Sequence, residues 1–183
     1  MSKYMKAGVN INTHVLIYDG FVNFEIMLAT YLMKTQGEII TVGLSSEMVN
    51  SHEGFAVKPQ KEIKEVDWDE VEVLIIPGGD IGEIEGNKQL TSIIKKLDNN
   101  GKYIGAICSA VELIKQAGIL EGREYTDNHR NHVDTYKVSR NIITAKANGY
   151  VDFAIELGKM LNIYSDKEDY NETVRFFKYF ENN

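Results

Sequence analysis

The sequence predicts an α/β protein built on a mostly parallel, doubly wound sheet with helices on both faces, and three observations carry that prediction. β-rich apolar runs alternate with segments of helical period from one end of the chain to the other. The run Glu72-Val73-Leu74-Ile75-Ile76 is almost wholly apolar, as a central strand covered on both sides requires. Strand-like runs also end in loops rich in glycine, where ligands of such sheets are bound.

The elements follow in order. His14 to Tyr18 reads as a strand that stops at Asp19-Gly20, and Phe24, Met27, Leu28, Tyr31 and Leu32 then repeat at helical spacing. Gly37 closes that helix, and residues 39–44 form the second strand. Met48-Val49 and Phe55-Ala56-Val57, separated by the turn residues Asn50 to Gly54, predict a small β-hairpin outside the main sheet. The apolar strand ending at Ile76 runs into Pro77-Gly78-Gly79-Asp80, and Leu90, Ile93, Ile94 and Leu97 mark a helix capped by Asn87 and ended by Asn99-Asn100-Gly101. The next strand stops at Cys108, where a helix through Val111, Ile114 and Ala117 starts at once. Tyr125-Thr126 is a further short candidate strand, and residues 141–145 form the last one. Helices then follow through Ala154, Leu157, Gly158 and Leu161, and through Val174, Phe177 and Phe180.

Composition narrows the function. The 183 residues carry 20 Lys and Arg against 27 Asp and Glu, a formal charge of −7, with no basic cluster to track phosphates, which disfavours a nucleic-acid partner, and none is expected. There is no apolar run of membrane-spanning length and no signal-peptide core in the first residues, which predicts a cytoplasmic protein without a membrane partner. About 70% of the surface of a chain this long can be buried, so one domain over residues 1–183 is expected, without linker or repeat. Cys108 is the only cysteine, and neither disulfide nor metal-ligand spacing occurs, so no metal or other cofactor is expected.

Cys108 carries the chemical argument. It stands where a strand turns sharply into a helix, with small neighbours at Gly105, Ala106 and Ala110, as the crowded turn of a nucleophile elbow needs. A thiol at a helix N-terminus is expected to have its pKa lowered by the positive end of the dipole, although a lone cysteine is also an ordinary packing residue. Glu25 opens the first helix, and in a doubly wound sheet the loop before it lies close to the Cys108 elbow. A carboxylic acid there can exchange a proton with the thiol or with a substrate, whereas an ionised one repels a thiolate, so the two titrate as a pair. Glycines in the Pro77-Gly78-Gly79-Asp80 turn let the backbone point an N–H at a ligand, which together with the Ser109 N–H would form an oxyanion hole. His129 and His132, in the polar stretch Asp127 to His132, are candidate bases.

These residues resemble the ThiJ/PfpI superfamily, which has the class I glutamine amidotransferase-like fold and includes the Parkinson-linked protein deglycase, bacterial stress proteins and intracellular peptidase- or amidase-like members. The resemblance rests on Tyr18-Asp19-Gly20-Phe21 with Glu25, Leu74 to Gly79, Ala106-Ile107-Cys108, Ala117 to Arg123 with Tyr125-Thr126, and the segment 144–161. It implies a flavodoxin-like three-layer sandwich, a homodimer, Cys108 as nucleophile, Glu25 as its hydrogen-bonding acid, and Gly79 and Ser109 as oxyanion donors. The activity it implies is cysteine-dependent hydrolase, glyoxalase-like or deglycase chemistry on a small carbonyl or acyl substrate without a cofactor. The alternative is a stress or redox-sensing, chaperone-like protein that uses the same oxidisable cysteine. The sequence departs from the peptidase-like members in having Ser109 where they carry histidine directly after the cysteine. It also has Asp127 directly after Thr126, with His129 only later. A late His-x-Glu pair is absent, which sets a glutamine amidotransferase aside.

Overall fold

A computed structural model describes residues 10–129 and 131–181. A seven-stranded sheet forms the middle layer, made of β1 (Thr13–Leu16), β2 (Ile39–Gly43), β5 (Lys61–Glu62), β6 (Val73–Ile76), β7 (Tyr103–Ile107), β8 (Tyr136–Ser139) and β9 (Ile142–Ala145). Its spatial order is β5-β2-β1-β6-β7-β9-β8, with every pair parallel except β8 on β9. The expected hairpin is present as β3 (Val49–Asn50) and β4 (Ala56–Val57), in antiparallel register and separate from the sheet. The helices are α1 (Phe24–Met33), α2 (Lys88–Asn99), α3 (Ala110–Gln116), α4 (Tyr150–Met160) and α5 (Lys167–Tyr179).

The chain moves one way across the sheet from β1 to β2 and the other way from β6 through β7 to β9. Right-handed crossovers therefore put α1 on one face and α2 with α3 on the other. Accordingly α1 packs with α4 and α4 with α5 in one layer, while α2 packs with α3 in the opposite layer. The core lies at the middle strands, where all four residues of β6 are fully buried, each worth about 1.5–3 kcal/mol against an exposed side chain. The change of direction falls between β1 and β6, and the carboxyl ends of those two strands open a crevice there.

Four segments differ from the sequence reading. Tyr125-Thr126 is not a strand; the Thr126 N–H instead donates to the Thr144 hydroxyl of β9 at 2.9 Å. The edge strands β5 and β8 are additional, both short, exposed or half-buried, and lacking an apolar signal. Only part of the apolar stripe of α1 chosen by spacing is buried: Phe24, Met27 and Tyr31 are exposed, whereas Leu32 faces the core together with Ile26, Ala29, Met33 and Glu25. That helix is apolar nearly all round, so its period could not distinguish the two faces.

Candidate functional site

The site is assembled by three loops that leave the carboxyl ends of β1, β6 and β7. After β1 the chain turns at Gly20, and an isolated bridge between Phe21 and Gly79 clamps this loop to the one after β6. Gly79 has a φ of +136° and lies against the Gly20 carbonyl so closely that no side chain fits. The Val22 N–H donates to the Gly78 carbonyl at 2.8 Å, and α1 then starts with Glu25 turned inward, 2% exposed.

Cys108 has a φ of +61°, a region that non-glycine residues rarely occupy, as a nucleophile elbow demands. Its small neighbours are necessary. A Cβ on Gly105 would lie 2.8 Å from the Phe153 ring, and Ala106 and Ala110 are fully buried. A Cβ on Gly78 would lie 2.5 Å from Cys108 Cβ, 2.7 Å from Glu25 Oε2 and 2.9 Å from Cys108 Sγ. Thiol and carboxyl therefore crowd over the same glycine, whose N–H donates to Glu25 Oε2 at 2.8 Å.

Electrostatics differ from the expectation of a lowered thiol pKa. Burial, and then the negative charge of Glu25, push the Cys108 thiol above its ordinary range, against the opposing pull of the Asn128 amide and the Ser109 N–H. Burial likewise raises the Glu25 carboxyl, although the Cys108 thiol and the Gly78 N–H act to lower it. The pair behaves as two acids competing for one charge. Tyr18, buried beside them with its hydroxyl donating to the Pro77 carbonyl at 2.9 Å, is held far above the ordinary phenol range, first by burial and then by Glu25 and Cys108.

Asn128, which sequence reasoning passed over, reaches the sulfur. Its Nδ2 donates to Cys108 Sγ at 3.0 Å, and its Oδ1 accepts from the Ala147 N–H at 3.1 Å, which fixes the amide orientation. The candidate bases sit otherwise. His129 and His132 place Nε2 3.9 Å and 3.6 Å from the two oxygens of Asp127, and His132 also packs against the Tyr125 ring. His129 does line the cavity of about 230 Å³ at the thiol, together with Cys108, Ser109, Glu112, Asp127 and Asn128. The only sequence signal for Asn128 was its place in the polar stretch that holds both histidines. The oxyanion donors are close to the elbow, but the Gly79 N–H donates to Ser109 Oγ at 2.9 Å, and that hydroxyl in turn donates to the Gly79 carbonyl at 2.8 Å. Ser109 thus covers the donor that an oxyanion would use. Among the described residues no group of three His, Cys, Asp or Glu side chains is arranged to hold a metal ion.

Fold and site together define a flavodoxin-like sandwich with a cysteine elbow facing a buried carboxyl. The DJ-1/PfpI family model matches residues 12–159, and the chain belongs to that family. It is 31% identical over 114 residues to deglycase TK1284 of Thermococcus kodakarensis, covering 61% of this chain and 69% of that protein. It is 25% identical over 177 residues to protein dj-1beta of Drosophila melanogaster, covering 88% and 93% of the two chains. Among solved structures, the DJ-1 superfamily protein Atu0886 of Agrobacterium tumefaciens superposes with a TM-score of 0.82 at 20% identity, over 93% of this chain and 100% of that one. The thiJ/pfpI family protein of Bacillus anthracis superposes at 0.84 with 18% identity, over 94% and 92%.

Proposed function

We propose that this protein is a cysteine-dependent enzyme acting on a small carbonyl or acyl compound, in the deglycase, glyoxalase-like or hydrolase range. The observation that carries the reading is the convergence of Glu25 and Asn128 on a thiol held at positive φ beside a small cavity. Relatives named deglycase, and one from Bacillus subtilis named an uncharacterized protease, support the class. In the proposed step the Glu25 carboxylate takes the Cys108 proton as Sγ bonds to the carbonyl carbon, and the C=O electron pair moves onto oxygen. The oxyanion displaces the Ser109 hydroxyl from the Gly79 N–H and is completed by the Ser109 N–H. Glu25 then returns the proton, to that oxygen in an addition or to the leaving group in an acyl transfer, where water afterwards cleaves the thioester. Asn128 holds the sulfur and needs no proton of its own, so neither His129 nor His132 is required in this first step.

The test is product release from methylglyoxal, glycated thiols or small amides. Turnover should vanish in Cys108→Ala, by roughly 10³-fold or more, and fall by about 10²-fold in Glu25→Gln. Turnover that survives Cys108→Ala would refute the proposal. A second reading has its own support: Glu25, Asn128 Nδ2 and the Ser109 N–H surround the sulfur with groups able to hold the oxygens of a sulfinate, which suits a redox or stress response. A single stable oxidised mass after mild peroxide, without turnover of any of those substrates, would favour it.

The proposal extends to the assembly and its setting. α1 exposes Phe24, Met27 and Tyr31, the hairpin exposes Phe55, and an apolar groove of about 600 Å³ runs between α1, β1 and β2. We assign this face to a second copy of the chain in a homodimer, which sedimentation equilibrium reads directly. A lone unpaired cysteine suits the cytoplasm, and among the described residues no helix is long and apolar enough to cross a membrane.

A further inference from the structure

The first turn of α1 needs a partner that its own sequence does not supply. Asn23 stands at the N-cap, yet its side chain makes no capping hydrogen bond. The partner comes from thirty residues away: Glu53, at the tip of the hairpin, accepts from the Asn23 N–H with Oε2 at 3.1 Å and from the Phe24 N–H with Oε1 at 2.9 Å. Around that clasp the hairpin is stitched to the loop that delivers Glu25. The Gly20 N–H donates to the Asn50 carbonyl at 2.7 Å, the His52 N–H to the Phe21 carbonyl at 2.8 Å, and the Asn50 N–H to Asp19 Oδ1 at 2.9 Å, while Phe21 and Ser51 form an isolated bridge. Ser51, beside the clasp, is buried. The next residue after this doubly held Phe24 is Glu25.

We propose that Glu53 is a positioning residue for Glu25, and that the hairpin serves as a strap which fixes the first turn of α1 so that the Glu25 carboxyl is held against the Cys108 thiol. The proposal rests on Cys108 and Glu25 being the working pair. Glu53 touches neither the sulfur nor the cavity and acts only through Glu25. Its carboxylate suits the clasp: partial burial opposes ionisation, but the Phe24 and Asn23 N–H groups hold it below the ordinary carboxylate range, so it stays charged. That charge in turn contributes to keeping Glu25 protonated to a higher pH. The other groups coupled to the pair are Tyr18 at the end of β1, with Asp80 from the loop after β6 beside it, and the Asn128 amide at the sulfur.

Iodoacetamide labelling of Cys108 as a function of pH tests this without any substrate. In wild type the Glu25 charge suppresses thiolate. Glu53→Ala, which frees the turn, should therefore move the labelling midpoint to lower pH and raise the rate near pH 8 several-fold. In the Glu25→Gln background the same change should add nothing, because the group it positions is gone. Glu53→Gln, which removes the charge and leaves one acceptor oxygen in place of the two that the clasp uses, should move the midpoint the same way by less, and it keeps the test available should Glu53→Ala fold poorly. A midpoint unmoved in both Glu53 variants while Glu25→Gln moves it would overturn the proposal alone. An equal shift with and without Glu25 would also overturn it, since Glu53 would then govern access. A midpoint unmoved by Glu25→Gln would remove the working pair and the proposal together.

Discussion

Two polar clusters sit at opposite ends of the same strands, and they are built on opposite principles. At the amino ends of β7 and β9, Arg123 Nη2 donates to both oxygens of Asp98 at 2.8 Å and 3.0 Å, and Arg123 Nη1 donates to Asn141 Oδ1 at 3.1 Å. Asn141 Nδ2 donates in turn to Asp98 and to the Lys102 carbonyl. Every charge there faces its opposite. At the carboxyl ends, Glu25 and Cys108 face each other as two groups that both become negative, with burial raising both. The first cluster uses its polar groups to hold the sheet together, while the second leaves two acids close to one another without a counter-charge, the arrangement that the proposed function would use.

Disturbing the paired end should cost stability. Asp98→Ala strands a guanidinium whose side chain is only 10% exposed, and we expect a loss of about 3 kcal/mol in urea unfolding with the Cys108 labelling profile unchanged. A shifted profile would mean the two ends are coupled. A smaller effect comes from His14 in β1, which is buried with no partner for Nδ1 among the described residues and its pKa lowered to about 4, first by burial and then by Lys61. Unfolding lets it protonate near its ordinary value of about 6.5, so its contribution is complete above that pH and is lost as pH falls toward 4. Urea unfolding at pH 7 and pH 4.5 should show wild type losing about 2 kcal/mol more than His14→Gln between the two; equal losses would place His14 outside the acid response. The smallest effect is at the unpaired end. Ser109→Ala uncovers the Gly79 N–H and should speed acylation of Cys108 by p-nitrophenyl acetate about threefold while leaving iodoacetamide alkylation, which forms no oxyanion, unchanged. Equal changes in both reactions would show that Ser109 tunes the thiol and not the hole.

The contrast also explains what was legible in the sequence. β6 and the elbow could be read because each carries its physical cause locally: an apolar run in one case, small residues around a cysteine in the other. The pairing of Glu25 with Cys108 followed from topology, since only β6 separates the strands that carry them. The direction of the thiol shift did not follow, because it depends on how deeply two groups far apart in sequence are buried together. Asn128 and Glu53 were invisible for a related reason: an amide among histidines and a glutamate in a hairpin turn have no periodicity, and their roles exist only once loops from different strands meet. The edge strands β5 and β8 bury too little to leave an apolar pattern.

The proposed chemistry depends most on the thiol being restrained by the carboxyl across from it, and the pH dependence of Cys108 alkylation in wild type and Glu25→Gln tests this most directly. Replacing the carboxylate by an amide removes a negative charge but leaves the burial, so the labelling midpoint should begin above the ordinary thiol value of about 8.5 and move to lower pH in the variant. A wild-type midpoint below that value, or one that stays or rises in Glu25→Gln, would contradict it.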